Sequence, residues 1–317
     1  MAMDWIYVGL GLVILLLAGD ALVRGAVNLS LRLGVPALIV SLTIVAFGTS
    51  APELLISIQA IMDGVPGLAL GNVVGSNTAN ILLVLGVPAL LATMHTSECS
   101  TRGNFLQMIG ATLLFIVLCF CGTITWVDGL ILLTALFAML AYAARSAMQH
   151  RSACAMLDPD EDIEGADPSM SWPKILLFLG LGMVGLPLGA SLLVDGAVNI
   201  ARDFGVSETA IGLTLVALGT SLPELATTVM AALRRQAEVA LGNVIGSNMF
   251  NLLAIIGIAS LVGPIPVEPS VLSFDLWIML GASLMLVPFV FFKQDITRIW
   301  GIGLSALYVV YVAIVLG

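Results

Sequence analysis

The sequence predicts an all-α integral membrane protein, with ten transmembrane helices arranged as two inverted-topology repeats of five. Three observations predict this class: the composition, a series of apolar stretches of membrane-span length, and an internal duplication. Of the 317 residues, 60% are hydrophobic and only 10% are charged, and the mean hydropathy is +1.11. A soluble protein of this length would need far more polar surface, so the bilayer is the expected solvent.

Apolar stretches of about 20 residues or slightly more have the length that crosses a bilayer as a helix. They lie at 4–30, 36–61, 68–92, 104–121, 125–146, 174–201, 208–232, 239–262, 272–292 and 297–316. The longest polar segment, 148–172, contains six acidic residues and divides the ten stretches into five and five. We therefore expect a first half at 1–147, an acidic loop at 148–172 and a second half at 173–317.

The two halves are copies of each other. "VAFGTSAPELL" at 45–55 returns as "VALGTSLPELA" at 216–226, and "ALGNVVGSN" at 69–77 returns as "ALGNVIGSN" at 240–248. The offset is the same for both strings, so the copies align without a gap. Because each copy holds an odd number of spans, the second must enter the membrane upside down. Inverted repeats of this kind are typical of transporters.

The loop charges predict the orientation. The loop "MDGVPG" at 62–67 has no Lys or Arg, whereas its counterpart "LRRQAE" at 233–238 has two arginines. By the positive-inside rule, the first loop faces out and the second faces the cytoplasm. We expect a multi-pass protein of the plasma (inner) membrane, with both termini outside and the acidic loop in the cytoplasm.

The string "GTSAPE" places a helix break inside the second span. Pro52 has no N–H, so the carbonyl four residues earlier loses its helical partner, and nearby carbonyls such as that of Ala46 become free. In hydrocarbon, free carbonyls need another partner, and a cation would supply one. Thr49 and Ser50 lie four and three positions before Glu53, so their hydroxyls share a face with its carboxylate.

The second copy repeats this set with Thr220, Ser221 and Glu224. Two carboxylates with neutral oxygens suit a hard cation such as Ca²⁺, and the same oxygens suit Na⁺. Soft metals would require Cys or His, which neither copy contains. Two buried carboxylates at equivalent places make a purely structural role improbable.

The span that follows each break carries further polar residues. Gly71 and Gly75 form a GxxxG pair, which allows close approach of helices. Ser76 and Asn80 share one helical face, and the second copy repeats them as Ser247 and Asn251. The repeated asparagines at 77 and 248 are interpreted as either ligands or ties to backbone groups.

At these motifs the sequence resembles the cation/Ca²⁺ exchanger superfamily, in particular the small prokaryotic Na⁺/Ca²⁺ exchangers. The resemblance covers essentially the whole membrane part. It implies ten transmembrane helices, with helices 2, 3, 7 and 8 around four central cation sites, breaks in helices 2 and 7, and further breaks in 3 and 8. It also implies alternating access, in which helices 1 and 6 slide across this core.

The resemblance also implies a set of cation ligands. The carboxylate ligands are Glu53 and Glu224. The neutral ligands are Thr49, Ser50, Thr220, Ser221, the backbone carbonyls of Ala46 and Ala217, and Ser76, Ser247, Asn80 and Asn251. Some relatives, including K⁺-dependent exchangers, have Asp where this chain has Asn251, so the site here holds two carboxylates instead of three.

The expected function is secondary antiport of Ca²⁺ against Na⁺, with no enzymatic activity, no cofactor, no nucleic-acid partner and no required oligomer. Two alternatives stay open. A proton-coupled exchanger could use the same scaffold, although the GNxxE signature of that branch is missing. A passive Ca²⁺ channel is disfavoured by the internal duplication, since channels more often build filters from identical subunits. An intramembrane enzyme is disfavoured because no HExxH or Ser–His motif is present.

Overall fold

The computed structural model describes residues 2–154, 167, 169–205 and 217–316. Regular secondary structure in these residues is helical, with two isolated antiparallel bridges between loops. In chain order the helices are α1 (Ala2–Leu33), α2 (Ala37–Thr49), α3 (Ala51–Met62), α4 (Pro66–Leu91), α5 (Arg102–Phe120), α6 (Trp126–Cys154), α7 (Trp172–Asp203), α8 (Ala217–Thr220), α9 (Leu222–Leu233), α10 (Ala237–Val262), α11 (Val271–Phe291) and α12 (Arg298–Leu316).

The long helices agree with the expected membrane character. Among the described residues, eight helices are long and apolar enough to cross a membrane, and α2 and α3, which are bent by 42° relative to each other, meet the same criteria as a pair. The predicted span 208–232 begins in residues that lie outside the described ranges; its described part is α8 and α9. The count of ten spans therefore stays a prediction, and the multi-pass helical architecture is confirmed.

The two helix breaks have the same local structure. Pro52 and Pro223 each occupy the first turn of the helix after the break, where a missing N–H costs nothing. Ser50 leaves helical geometry at φ −86° and ψ 5°, and Ser221 does so at φ −86° and ψ 1°. The repeated sequence thus interrupts both helices at corresponding serines.

The expected breaks in helices 3 and 8 take milder forms. In α4 a turn separates Pro66–Leu82 from Gly86–Leu91, because Pro88 has no N–H to donate to the carbonyl four residues earlier. In α10 no proline is present, and the helix only widens into a π-helical turn at Phe250–Ile255 before continuing. The expectation of a break in helix 8 is therefore corrected to a π-helical turn.

The repeat helices α4 and α10 lie at the centre of the bundle. In their most apolar stretches 78% and 89% of residues are buried, against 44% or less in the other single-helix spans. The GxxxG pair of α10 explains one close crossing: a Cβ on Gly246 would lie 2.4 Å from the carbonyl oxygen of Leu42 in α2. By the repeat offset, the α2 residues at this crossing correspond to 209–217, most of which lie outside the described ranges.

The long helices α1 and α7 pack mainly on each other and form a second hydrophobic cluster. Glycine lets them approach closely, since a Cβ on Gly182 would lie 2.5 Å from the Cβ of Leu22. Asp20 and Arg24, one helical turn apart in α1, form an ion pair at 2.9 Å. Asp20 also binds Arg234 at the end of α9, so α1 is joined to the end of the second broken helix.

One polar cross-link joins the loop after α4 to the loop before α12. Asp295 accepts the backbone N–H of Ser97 at 3.0 Å and contacts the His95 ring at 2.9 Å. An isolated bridge of Met94 and Ile296 lies beside them. Partial burial would raise the pKa of Asp295, but these hydrogen bonds outweigh it and hold the pKa below its ordinary value of 3.8.

Candidate cation-binding site

Two buried carboxylates form the centre of the candidate site. Glu53 lies in the first turn of α3 and Glu224 in the first turn of α9, and each is 1% exposed. The two groups are close enough to repel each other electrostatically. A helix N-terminus carries partial positive charge, so both breaks place a carboxylate where the backbone favours it.

The hydroxyls beside each break link the two copies. Ser50 donates through Oγ to Oε1 of Glu224 at 3.1 Å, although the two residues are far apart in the chain. The Thr49 hydroxyl lies 3.2 Å from Oδ1 of Asn243 and 3.4 Å from the hydroxyl of Ser247. The first break is therefore packed against the polar face of α10 and the carboxylate of the second break.

Asn243 holds the backbone of Glu224, and it was not among the site residues predicted from the sequence. Its Nδ2 donates to the backbone carbonyl of Glu224 at 3.3 Å and to the hydroxyl of Thr228 at 3.1 Å. Its counterpart Asn72 donates only to the Ser57 hydroxyl, at 3.4 Å. The signal was present in the repeated Gly-Asn pair, but the sequence does not show which of the two asparagines reaches a site residue.

The repeated asparagines at 77 and 248 both tie backbone groups, which is one of the two roles predicted for them. Asn77 donates through Nδ2 to the carbonyl of Asn248 at 3.1 Å. Asn248 donates through Nδ2 to the carbonyl of Asn77 at 3.3 Å. Asn80 donates through Nδ2 to Oδ1 of Asn248 at 3.0 Å. These bonds join α4 to α10 at the centre of the bundle.

Several buried oxygens of this region have no hydrogen-bond partner among the described residues. They are Glu53 Oε2, Glu224 Oε2, Ser221 Oγ, Asn77 Oδ1, Asn80 Oδ1 and Asn251 Oδ1. An unpartnered buried acceptor costs about 1–3 kcal/mol, and more where it is charged. A cation coordinated by oxygen would supply partners for those of these atoms that belong to the expected ligands, and carboxylate, hydroxyl and amide oxygens are what Ca²⁺ prefers.

The structure buries the side chains proposed as ligands. In the first copy these are Thr49, Ser50, Glu53, Ser76 and Asn80, and in the second Thr220, Ser221, Glu224, Ser247 and Asn251. The described residues contain no group of three or more His, Cys, Asp or Glu that could hold a metal ion. A cation here would therefore depend on neutral oxygens around the two carboxylates.

The expectation of a free carbonyl at Ala46 is wrong for this conformation. The Ala46 carbonyl accepts the N–H of Ser50 at 3.0 Å and the hydroxyl of Thr49 at 3.3 Å, because the chain leaves the helix only at Ser50. In the second copy the backbone N–H of Ser221 donates instead to the carbonyl of Leu218 at 3.1 Å. Ala217 begins α8, and its side chain lies outside the described residues.

Comparison with known proteins agrees with this architecture. A family model described as sodium/calcium exchanger protein matches residues 3–145 and 174–317. The putative antiporter CaxA of Alkalimonas amylolytica is 36% identical over 89% of this chain and 88% of the relative. Sodium/calcium exchanger MaX1 of Methanosarcina acetivorans is 32% identical, and the alignment covers 96% of each chain.

A solved structure of the sodium-calcium exchanger NCX_Mj, soaked with zero Na⁺ and Ca²⁺, superposes with a TM-score of 0.84. The two chains are 31% identical, and the superposition covers 99% of each. The family model matches most of the chain, and the relatives match it over nearly its full length. The chain therefore belongs to the sodium/calcium exchanger family.

Proposed function

We propose that this chain is a secondary active antiporter that exchanges Ca²⁺ for Na⁺ by alternating access. One observation carries the proposal: the two buried carboxylates are surrounded by buried oxygens without hydrogen-bond partners, and the set contains no soft ligand. The names of two similar proteins support the same pair of ions, since MaX1 is a sodium/calcium exchanger and NCX_Mj a sodium-calcium exchanger.

Charge supplies the coupling in this proposal. Glu53 and Glu224 are shielded from solvent, so an empty site would hold two negative charges in a region of low dielectric. Uncompensated buried charges cost several kcal/mol each, which makes movement of the empty site across the barrier slow. Either one Ca²⁺ or several Na⁺ would neutralise the carboxylates and allow the site to change sides. Exchange then follows without chemical catalysis.

The ligand set we propose uses both copies. Glu53 and Glu224 supply the charge, and the neutral ligands come from Thr49, Ser50, Thr220, Ser221, Ser76, Ser247, Asn80, Asn251 and the carbonyls of Ala46 and Ala217. The Ala46 carbonyl would join only after its bond to the Ser50 N–H opens. Asn251 keeps the number of carboxylates at two, which disfavours K⁺ as an additional cargo.

The proposed topology has ten spans in two inverted repeats, with both termini outside and the acidic loop at 148–172 in the cytoplasm. The matching backbone geometry at Ser50 and Ser221 supports two equivalent breaks. The central position of α4 and α10 supports a site near the bilayer midplane, where inverted repeats meet. One protomer contains the whole set of proposed ligands, so an oligomer is not required.

A proton-coupled exchanger is the second candidate, and the proximity of the two carboxylates favours it. Two neighbouring acids in a low dielectric hold a proton readily, so H⁺ could replace Na⁺ as the counter-ion. A passive Ca²⁺ channel is a third candidate, and it differs from both exchangers because its flux needs no counter-ion.

Purified protein in liposomes distinguishes the three candidates. Vesicles loaded with Na⁺ are diluted into Na⁺-free buffer that contains radioactive Ca²⁺, and parallel vesicles carry choline or a pH gradient. We expect Ca²⁺ uptake that requires internal Na⁺. Uptake driven by the pH gradient and indifferent to Na⁺ would replace Na⁺ with H⁺, and uptake into the choline vesicles would indicate a channel.

A further inference from the structure

The two repeat helices α4 and α10 are joined by a reciprocal pair of amide bonds. Asn77 and Asn248 occupy corresponding positions in the two copies, and each donates its side-chain N–H to the backbone carbonyl of the other. Both residues are 1% exposed. In this respect the two copies are equivalent, and each asparagine contributes one bond to the same crossing.

The equivalence ends at the side-chain oxygens. Oδ1 of Asn248 accepts Nδ2 of Asn80 at 3.0 Å. Among the described residues, Oδ1 of Asn77 has no hydrogen-bond partner, and neither do the amide nitrogen and oxygen of Asn251, the counterpart of Asn80. The amide of Asn80 is therefore held by its nitrogen, whereas no described residue holds the amide of Asn251.

We propose that Asn248 is a positioning residue that fixes the amide of Asn80 with its oxygen available to the transported cations, and that Asn251 has no such support. This inference rests on the proposed function, because it concerns two of the proposed ligands. Asn248 does not touch the cation in this assignment; it acts through the orientation of Asn80.

The physical reason lies in the two faces of an amide. An amide presents an acceptor oxygen on one side and an NH₂ donor on the other, and rotation about the last side-chain bond exchanges them. The donor face repels a cation, whereas the acceptor face binds it. With Nδ2 of Asn80 committed to Asn248, Oδ1 is the atom left over, and it is buried without a partner. Outer hydrogen bonds of this kind orient metal ligands.

The test is a double-mutant cycle read by cation binding. Wild type, Asn80→Ala, Asn248→Ala and the double variant are purified, and melting temperature is measured against Na⁺ and against Ca²⁺ concentration. We expect Asn248→Ala to weaken apparent cation affinity about tenfold, the size of one lost charge-assisted interaction. In the double variant it should add less than about twofold to the effect of Asn80→Ala, because its target is gone.

Asn77→Ala is the matched control. It removes one bond of the same reciprocal pair but leaves Asn80 held by Asn248. We expect it to lower the melting temperature without cations less than Asn248→Ala does, because it removes one bond where Asn248→Ala removes two, and to change cation affinity less than about threefold. Equal affinity losses in the two single variants, or additive losses in the cycle, would overturn the proposal.

If Asn248→Ala does not fold, Asn248→Ser replaces it, since a serine hydroxyl can bond within its own helix but is too short to reach Asn80. Transport is measured separately, so the two proposals can fail separately. Wild type that binds cations but does not exchange them would refute the proposed function, and the cycle would still decide the role of Asn248. Wild type that binds neither cation would overturn both.

Discussion

Substitution of Glu53 by Gln should affect Ca²⁺ much more than Na⁺. At an effective dielectric constant of 20, two opposite unit charges 4 Å apart attract by about 4 kcal/mol. Removal of one carboxylate charge therefore weakens the binding of Ca²⁺ by about 8 kcal/mol and that of each Na⁺ by about 4 kcal/mol. The repulsion between Glu53 and Glu224 is present with and without a bound cation, so it cancels from the binding free energy and leaves these losses unchanged. The two losses differ by about 4 kcal/mol, and Ca²⁺ affinity should therefore fall about a thousandfold more than the affinity for one Na⁺.

Titration calorimetry with each cation measures this difference, and radioactive Ca²⁺ uptake into Na⁺-loaded liposomes should be lost in the same variant. The matched control is Asp63→Asn, which makes the same chemical change just after the same helix. Asp63 is exposed and accepts a hydrogen bond from Gln59 at 2.8 Å, so both affinities should stay as in wild type. A Glu53→Gln variant that loses Ca²⁺ and Na⁺ affinity equally, or that keeps Ca²⁺ uptake, would refute the charge calculation.

Three further outcomes concern stability in detergent. Gly246→Ala should lower the free energy of unfolding by about 1–3 kcal/mol, and with it the melting temperature, because the new Cβ would lie 2.4 Å from a backbone carbonyl oxygen. Gly303→Ala, where the added Cβ has open space, should not lower the melting temperature. Asp20→Asn should lower the free energy of unfolding by about 1–2 kcal/mol, because Arg234 loses its ion-pair partner. An unchanged melting temperature would contradict this expectation. Since the pKa of Asp295 is lowered, its stabilisation is present at neutral pH, starts to decline below the ordinary value of 3.8 and is lost once the pH falls through the lowered pKa of the folded protein. The melting temperatures of wild type and Asp295→Asn should converge as the pH falls through that range.

Much of the fold and of the site's composition followed from the sequence, because it depends on local chemistry. The missing N–H of Pro52 and Pro223 predicts two helix breaks, and both occur at the preceding Ser-x pair. Burial of Glu53 and Glu224 follows from their place in apolar spans. The free carbonyl expected at Ala46 did not follow, because proline removes a donor for one carbonyl only, and the turn before the break still closes by its own hydrogen bond.

The part that could not be predicted is the unequal use of equal residues. Both copies contain the same serine at the break, yet Ser50 donates to Glu224 while the hydroxyl of Ser221 has no partner in the part of the chain that the structure describes. Asn80 is likewise held by Asn248, but the amide of Asn251 is not held. A repeat in the sequence shows which side chains are present in both copies. Which of two identical side chains forms a hydrogen bond depends on how the helices pack in one conformation. In the proposed mechanism an inverted repeat opens to one side at a time and so places its two copies unequally, and identical residues are then expected to make different contacts in any single state.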